Sequence, residues 1–405
     1  MRSVGDFGRL LTAVFAGFAV AACGATANQA SATYPAGTRH HTAQTAAAAQ
    51  AGSEAQAAAA QSSASPTAAV TPSTAPSPAT SPLPKYGNPN GHAYVPPAAR
   101  AVSTSRGRHH VIGTGTAASC TSAAVIKAVA EGGVITFNCG PKPITITMTA
   151  TASVVHGSRI VIDGGGKVTL SGGGKIRILQ MNTCPTDCWE QTGPQLIVQN
   201  MRFVDGYAAA RETNTSNTSE EGGGAIYVQG GQLKVVNSEF IDDRCYAYGP
   251  DLGGGAIRAY GMDMKTPIYI TDDTFRGGKC SNGGALSGLY ANFVVLNSLM
   301  TDNKAIGWGA NPAAAGTPGG GSGGAIYTDG DAYNLMIEGT IIRSGSAREG
   351  GGAIFFVVDA DGGVLEIEYS TLHDNPSGVF QNAPGIFDEV NGVVTTPTEI
   401  DSTVN

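Results

Sequence analysis

Between Gly222 and Leu372 the chain alternates apolar and polar positions in short runs, as in Leu233–Phe240 (LKVVNSEF) and Leu365–Leu372 (LEIEYSTL). A period of two in residues such as Val, Ile, Tyr and Phe predicts strands, and the frequent glycines exclude long helices. The runs recur. An apolar residue is followed by another seven positions on at Leu196/Phe203, Leu233/Phe240, Ile268/Phe275, Phe293/Met300, Leu335/Ile342 and Leu365/Leu372. Ahead of five of these pairs stands a glycine pair, then Ala and an aliphatic residue, beginning at Gly222, Gly253, Gly283, Gly323 and Gly350. The motif alanines Ala225, Ala256, Ala285, Ala325 and Ala353 lie 31, 29, 40 and 28 residues apart. A unit of this size cannot bury its own apolar face, so copies must stack. One coil per unit, with parallel strands about 4.8 Å apart, predicts a parallel β-helix. The glycine pair supplies a corner at positive φ, and Ala fits the crowded inside of it.

Upstream, Ser119–Gly133 carries apolar residues at Ala123, Val125, Ile126, Val129 and Ala130 and ends on Gly132-Gly133. This predicts a short amphipathic helix capping the open end of the stack. Short strands are expected at Val134–Phe137, Ile144–Met148, Ile160–Ile162, Val168–Leu170 and Ile176–Leu179.

The first hundred residues read differently. Met1–Ala22 has Arg2 and Arg9 and then an apolar run, the pattern of an export signal. Val20-Ala21-Ala22-Cys23 resembles the lipobox of bacterial lipoproteins, which implies cleavage before Cys23 and a lipid on its thiol. From Cys23 to about Arg100 the chain is mostly Ala, Ser, Thr, Pro and Gln, which predicts a disordered tether. Such a chain spans roughly 45–50 Å root-mean-square. The expected folded domain is 101–405. No later stretch is long and apolar enough to span a bilayer, so membrane contact is expected through the lipid alone.

Ile162–Gly166 (IDGGG), the repeated GGAI and the apolar–Asn–x–x–Phe units resemble the pectin-lyase-like right-handed β-helix superfamily, closest to repeats of the polymorphic outer membrane protein type. The resemblance spans about Cys120 to Asp388. It implies an all-β, right-handed parallel β-helix on a bacterial surface lipoprotein; the protein is expected to be a monomer. That fold carries lyases, hydrolases, adhesins and passenger domains alike.

Net charge is −7, with 14% charged residues, which argues against nucleic acid as partner. Cys23 aside, six cysteines remain, an even number that favours disulfides in an exported chain. Cys245 and Cys280 each stand five after the seventh-position Phe of their coils, so they should lie one above the other and pair. Cys120–Cys139 and Cys184–Cys188 complete the expected set.

In a stack, a repeat position becomes a column of side chains. Three before each seventh-position residue stand Asn200, Asn237, Asp272, Asn297, Gly339 and Tyr369, an expected structural turn column. Four after stand Tyr207, Arg244, Lys279, Lys304, Ser346 and Pro376. Arg244, Lys279 and Lys304 would be three cations one strand spacing apart, a match for carboxylates along a polymer. A cation held beside another has a lowered pKa and can take the proton next to a uronic carboxylate. Asp242 and Asp302 stand beside them as catalytic partners, and Asp242, Asp243 and Asp302 are hard oxygen ligands of the kind Ca²⁺ takes. A second candidate is the loop 207–221, whose Arg211, Glu220 and Glu221 could bind substrate; Trp308 could stack on a sugar ring.

Two classes of function follow. One is a lipid-anchored, extracytoplasmic protein that binds an extended acidic polysaccharide and, if an enzyme, cleaves it as a lyase or glycoside hydrolase. The other is a non-catalytic surface adhesin or cell-wall structural protein.

Overall fold

The structure is a computed structural model that describes residues 83–183, 191–209, 222–309 and 319–405. One coil shows the plan. Ile226–Gln229, Gln232–Val236, Glu239–Ile241 and Arg244–Cys245 follow one another and join four different sheets. These first to fourth faces hold nine, ten, nine and five strands among the described residues, and neighbouring strands in each come from successive coils. Between these strands pairing is parallel except where Val393–Val394 turns back on Ile386–Val390. The chain is thus a parallel β-helix, and the spacing of seven is the register of its third face. Phe203, Phe240, Phe275, Met300, Ile342 and Leu372 are successive cross-strand partners. The three phenylalanines stack ring on ring, with centroids 5.0 and 4.7 Å apart.

The glycine motifs work as expected, with two glycines needed for two reasons. Gly223, Gly254, Gly283, Gly323 and Gly351 have φ between 55° and 75°. The glycine after each of the first four instead touches the next coil: a methyl on Gly224, Gly255, Gly284 or Gly324 would run into a neighbouring carbonyl oxygen. The five alanines that follow are buried, and the first four donate their N–H to the alanine of the coil above, at 3.0–3.1 Å.

The expected cap is the helix Ser122–Glu131 (α1). Thr121 accepts a hydrogen bond from Ala124 N, and Gly132 ends it at φ 70°. Val125, Ala128 and Val129 face the core beside Ile112 and Ile135. The strand expected at Ile176–Leu179 instead runs Leu179–Asn182, and His109–Ile112 is an additional strand that opens the second face.

The tether was expected to reach Arg100, yet 83–106 is docked on the coils. Tyr86 N donates to Asn237 Oδ1 at 3.1 Å, Gly87 N to Thr274 Oγ1 at 2.9 Å, and Ala93 N to Asn297 Oδ1 at 2.8 Å. The strap then returns over the second face. Lys234 Nζ donates to the carbonyls of Ala98 and Arg100, both at 2.8 Å, and Gln199 exchanges two hydrogen bonds with the Val102 backbone. Ala93, Val95 and Ala99 cover Tyr269, Val294 and Leu296, while Val102 covers Val134, Val161 and Ile197. These strands are apolar on both sides, so their outer side needs such a cover.

Two inward polar columns satisfy backbone groups at the corners. Ser238, Asp273, Ser298, Thr340, Ser370 and Ser402 occupy one position. Each of the first five has its N–H held by the side chain of the next, at 2.7–3.2 Å. The other alternates: Gly206, Asp243, Gly278, Asn303, Gly345, Asn375. Here Asp243, Asn303 and Asn375 each accept the N–H of the glycine one coil earlier, at 2.7–3.0 Å. A methyl on any of those glycines would crowd that oxygen, at 2.8–3.0 Å.

Candidate functional site

The fourth face is a ladder of two-residue strands, which forces one residue inward and one outward in each coil. Cys245, Cys280 and Ala305 point in; Arg244, Lys279 and Lys304 are exposed. The sequence column is therefore real: Arg244 pairs with Lys279 and Lys279 with Lys304 as cross-strand partners. The register is stapled from inside by the Cys245–Cys280 disulfide, with Cα atoms 4.7 Å apart, in a knot with Ala208 and Leu252. Cys120–Cys139 is likewise a disulfide. Cys23, Cys184 and Cys188 lie outside the described residues, as do Arg211, Glu220 and Glu221.

Among the described residues none of the three cations closes on a carboxylate. Arg244 instead donates to Gly174 O at 3.1 Å and lies over the Tyr207 ring, 5.1 Å from its centroid. The two lysines stand in solvent on the next two rungs. Arg276 and Arg343, both exposed, flank the strip from the ends of third-face strands.

The aspartates are placed differently from expectation. Asp242 and Asp302 are exposed beside the strip, but at φ 54° and 60° they are corner residues, in one column with Asp205, Gly277, Ser344 and Asp374, all at positive φ. Short side chains that tolerate the left-handed region are what such a corner selects. Asp302 Oδ2 also accepts the Thr301 hydroxyl at 2.9 Å.

Asp243 is a correction. It is 1% exposed and turned inward onto Gly206 N, because residues at this corner alternate sides. Burial pushes its carboxyl well above the usual range. The Gly206 hydrogen bond opposes this, and the charges of Asp205 and Asp242 add to it. A buried carboxyl turned inward onto a backbone N–H does not fit a Ca²⁺ ligand on the exposed strip. Asp242 and Asp302 are two coils apart with Gly277 between them. Among the described residues no three His, Cys, Asp or Glu side chains are grouped to hold a metal ion.

Trp308 is 44% exposed, and its backbone forms an antiparallel bridge with Gly319. Two further exposed aromatics were not legible from the repeats. Tyr246 and Tyr248 pack edge to face with centroids 5.4 Å apart. Tyr248 stands four residues after Arg244, as Trp308 does after Lys304, so the shared offset was the available signal. The two turns touch: Gly319 lies so close to Pro250 that an added methyl would meet it at 3.0 Å. Glu349, buried nearby, accepts the N–H of Gly309 and supports the Trp308 turn. The result is a line of cations bordered by aromatic rings, which offers charge to an acidic chain and flat apolar surface to its rings.

Compared with known proteins, the chain matches no family model, no curated protein and no solved structure.

Proposed function

We propose that the Arg244–Lys279–Lys304 strip binds an extended anionic polymer, best an acidic polysaccharide, laid along the stacking axis so that each coil offers one cation. The observation that carries this is three cations on successive rungs, none held by a carboxylate of the described chain. Like charges one rung apart repel, and a polyanion removes that cost. Each exposed pair contributes only about 0–1 kcal/mol, so useful affinity requires several rungs at once, with Tyr246, Tyr248 and Trp308 adding stacking contacts.

The N-terminal pattern and the disulfides Cys120–Cys139 and Cys245–Cys280 support a setting outside the cytoplasm, with a lipid at Cys23 and a β-helix of the superfamily type displayed on the cell surface. Cleavage asks for more than the strip provides. With Asp243 buried and no metal cage among the described residues, a lyase or hydrolase role rests on resemblance alone. A second reading, a non-catalytic adhesin or wall structural protein, is favoured by the inward columns, which spend their polar groups on the backbone.

Affinity electrophoresis and calorimetry with pectate, alginate and glycosaminoglycans, with and without Ca²⁺, separate these readings. Binding to at least one polyanion that is lost in Lys279→Glu/Lys304→Glu is expected. Absence of binding to all of them leaves the structural reading. Ultraviolet absorbance of unsaturated products would add a lyase activity.

A further inference from the structure

The outer wall of the first face carries Tyr227, Arg258, Ser287, Tyr327, Phe355 and Phe387 as successive cross-strand partners. Arg258 is the odd member. It is a fully buried side chain, 0% exposed, in a column otherwise filled by rings and one hydroxyl. Its Nη1 donates to Ser287 Oγ at 2.6 Å, while Nε and Nη2 have no acceptor among the described residues. Those two N–H groups lie on one edge of the guanidinium, the edge that meets an anion with two parallel hydrogen bonds.

Among the described residues no neighbour neutralises it. Tyr227 Oη donates to Gln229 Oε1 at 2.9 Å and Tyr327 Oη to Asp329 Oδ2 at 2.7 Å, so both phenol protons are directed along their own strands. Asp251, the acid whose charge acts most on Arg258, is exposed and forms no ion pair with it. A buried cation without a counter-charge is among the most costly arrangements in a fold. Arg258 is also tightly framed: a methyl on Gly223 would meet its Cβ at 3.1 Å, and Tyr227 and Ser287 flank it one rung away on either side. A side chain 0% exposed has no opening for a sugar or a nucleotide, which leaves only a guest of atomic size.

We propose that the Nε–Nη2 edge of Arg258 holds a halide-sized monovalent anion, chloride in a saline medium, sealed in the wall of the first face. The anion binds the folded chain and not the unfolded one, so it links stability to chloride concentration by mass action. The site is independent of the fourth-face strip and of any polymer bound there.

Thermal unfolding of the full chain at fixed ionic strength, in sodium chloride against sodium gluconate, tests this. A higher melting temperature in chloride, saturating with concentration and reproduced by bromide, is expected. A crystal soaked in bromide should show an anomalous peak against Nε and Nη2. Arg258→Met, which keeps the volume and removes the charge, should melt at the same temperature in both salts. Should that variant not fold, the bromide peak decides. Equal melting in both salts with no bromide at Arg258 overturns the proposal. So does a loss of stability in Asp251→Asn with no salt specificity, which would make Asp251 the counter-charge.

Discussion

Asn297 holds the backbone of Ala93 with both ends of its carboxamide: Oδ1 accepts from Ala93 N at 2.8 Å and Nδ2 donates to Ala93 O at 3.2 Å, across 204 residues of chain. The asparagine column is thus more than a brace between coils. Asn237 does bond Asn200 of the coil below, at 2.9 Å, yet it also holds the backbone of Pro84 and Tyr86. Asn297→Ala should lower stability by about 1–3 kcal/mol, the cost of leaving buried backbone groups unpaired. It should also release the strap, read as faster tryptic cleavage at Lys85 and Arg100. Unchanged cleavage would show that the strap is held by its apolar contacts instead.

Asp243 and Asp273 predict an unusual pH response. Burial raises both carboxyls well above the ordinary range, against hydrogen bonds from Gly206 in one case and from Ser238 and Thr271 in the other. Folded-state values above unfolded ones mean that the native chain retains protons the unfolded chain releases. Stability is then full below the unfolded carboxylate range, around pH 4, and falls as pH rises toward the folded values. Urea unfolding between pH 4 and 8 should show this decline.

Asn303 and Asn375 show what Asp243 lacks. Their Nδ2 groups donate to Phe275 O and Ile342 O, one coil earlier, at 3.0 and 2.9 Å, whereas Asp243 Oδ2 has no partner among the described residues. Asp243→Asn should therefore stabilise the protein at pH 7 by about 1–3 kcal/mol and flatten part of the pH response. A destabilised variant would mean that this corner differs from the other two.

Tyr369 occupies the asparagine corner at φ 49° and is 53% exposed, beyond the reach of the strap. A bulky residue in the left-handed region costs about 1–2 kcal/mol. Tyr369→Asn or Tyr369→Gly should recover roughly 1 kcal/mol in thermal unfolding.

The Cys245–Cys280 bridge closes a 35-residue separation between adjacent coils. Replacing both by Ala should cost about 3–4 kcal/mol by the chain-entropy account. It should also loosen the register of Arg244 on Lys279, so polyanion affinity should fall along with stability.

Much of the fold was legible because a stack turns repeat positions into contacts. The third-face spacing of seven, the glycine corners and the Cys245–Cys280 pairing all follow from aligning the chain with itself. The strap at 83–106 was not legible, because its composition reads as tether and its docking uses backbone groups that meet Asn237 and Asn297. The apolar run Ile160–Ile162, with Leu196–Val198 and Phe293–Leu296 above it, was the overlooked signal, since only strands covered on both sides read that way. The cation strip was legible by the same alignment. The inward turn of Asp243 was not, because neighbouring corner residues take opposite sides, and only the alternation with Gly206 and Gly278 reveals it.

That alternation has an arithmetic consequence. Gly206, Asp243, Gly278, Asn303, Gly345 and Asn375 make the rungs a two-step series in which each donor meets an acceptor only if odd follows even. Excising one rung would set glycine on glycine, or carboxamide on carboxamide with no room between. Excising two restores parity, so lengthening or shortening of this molecule is expected in even steps.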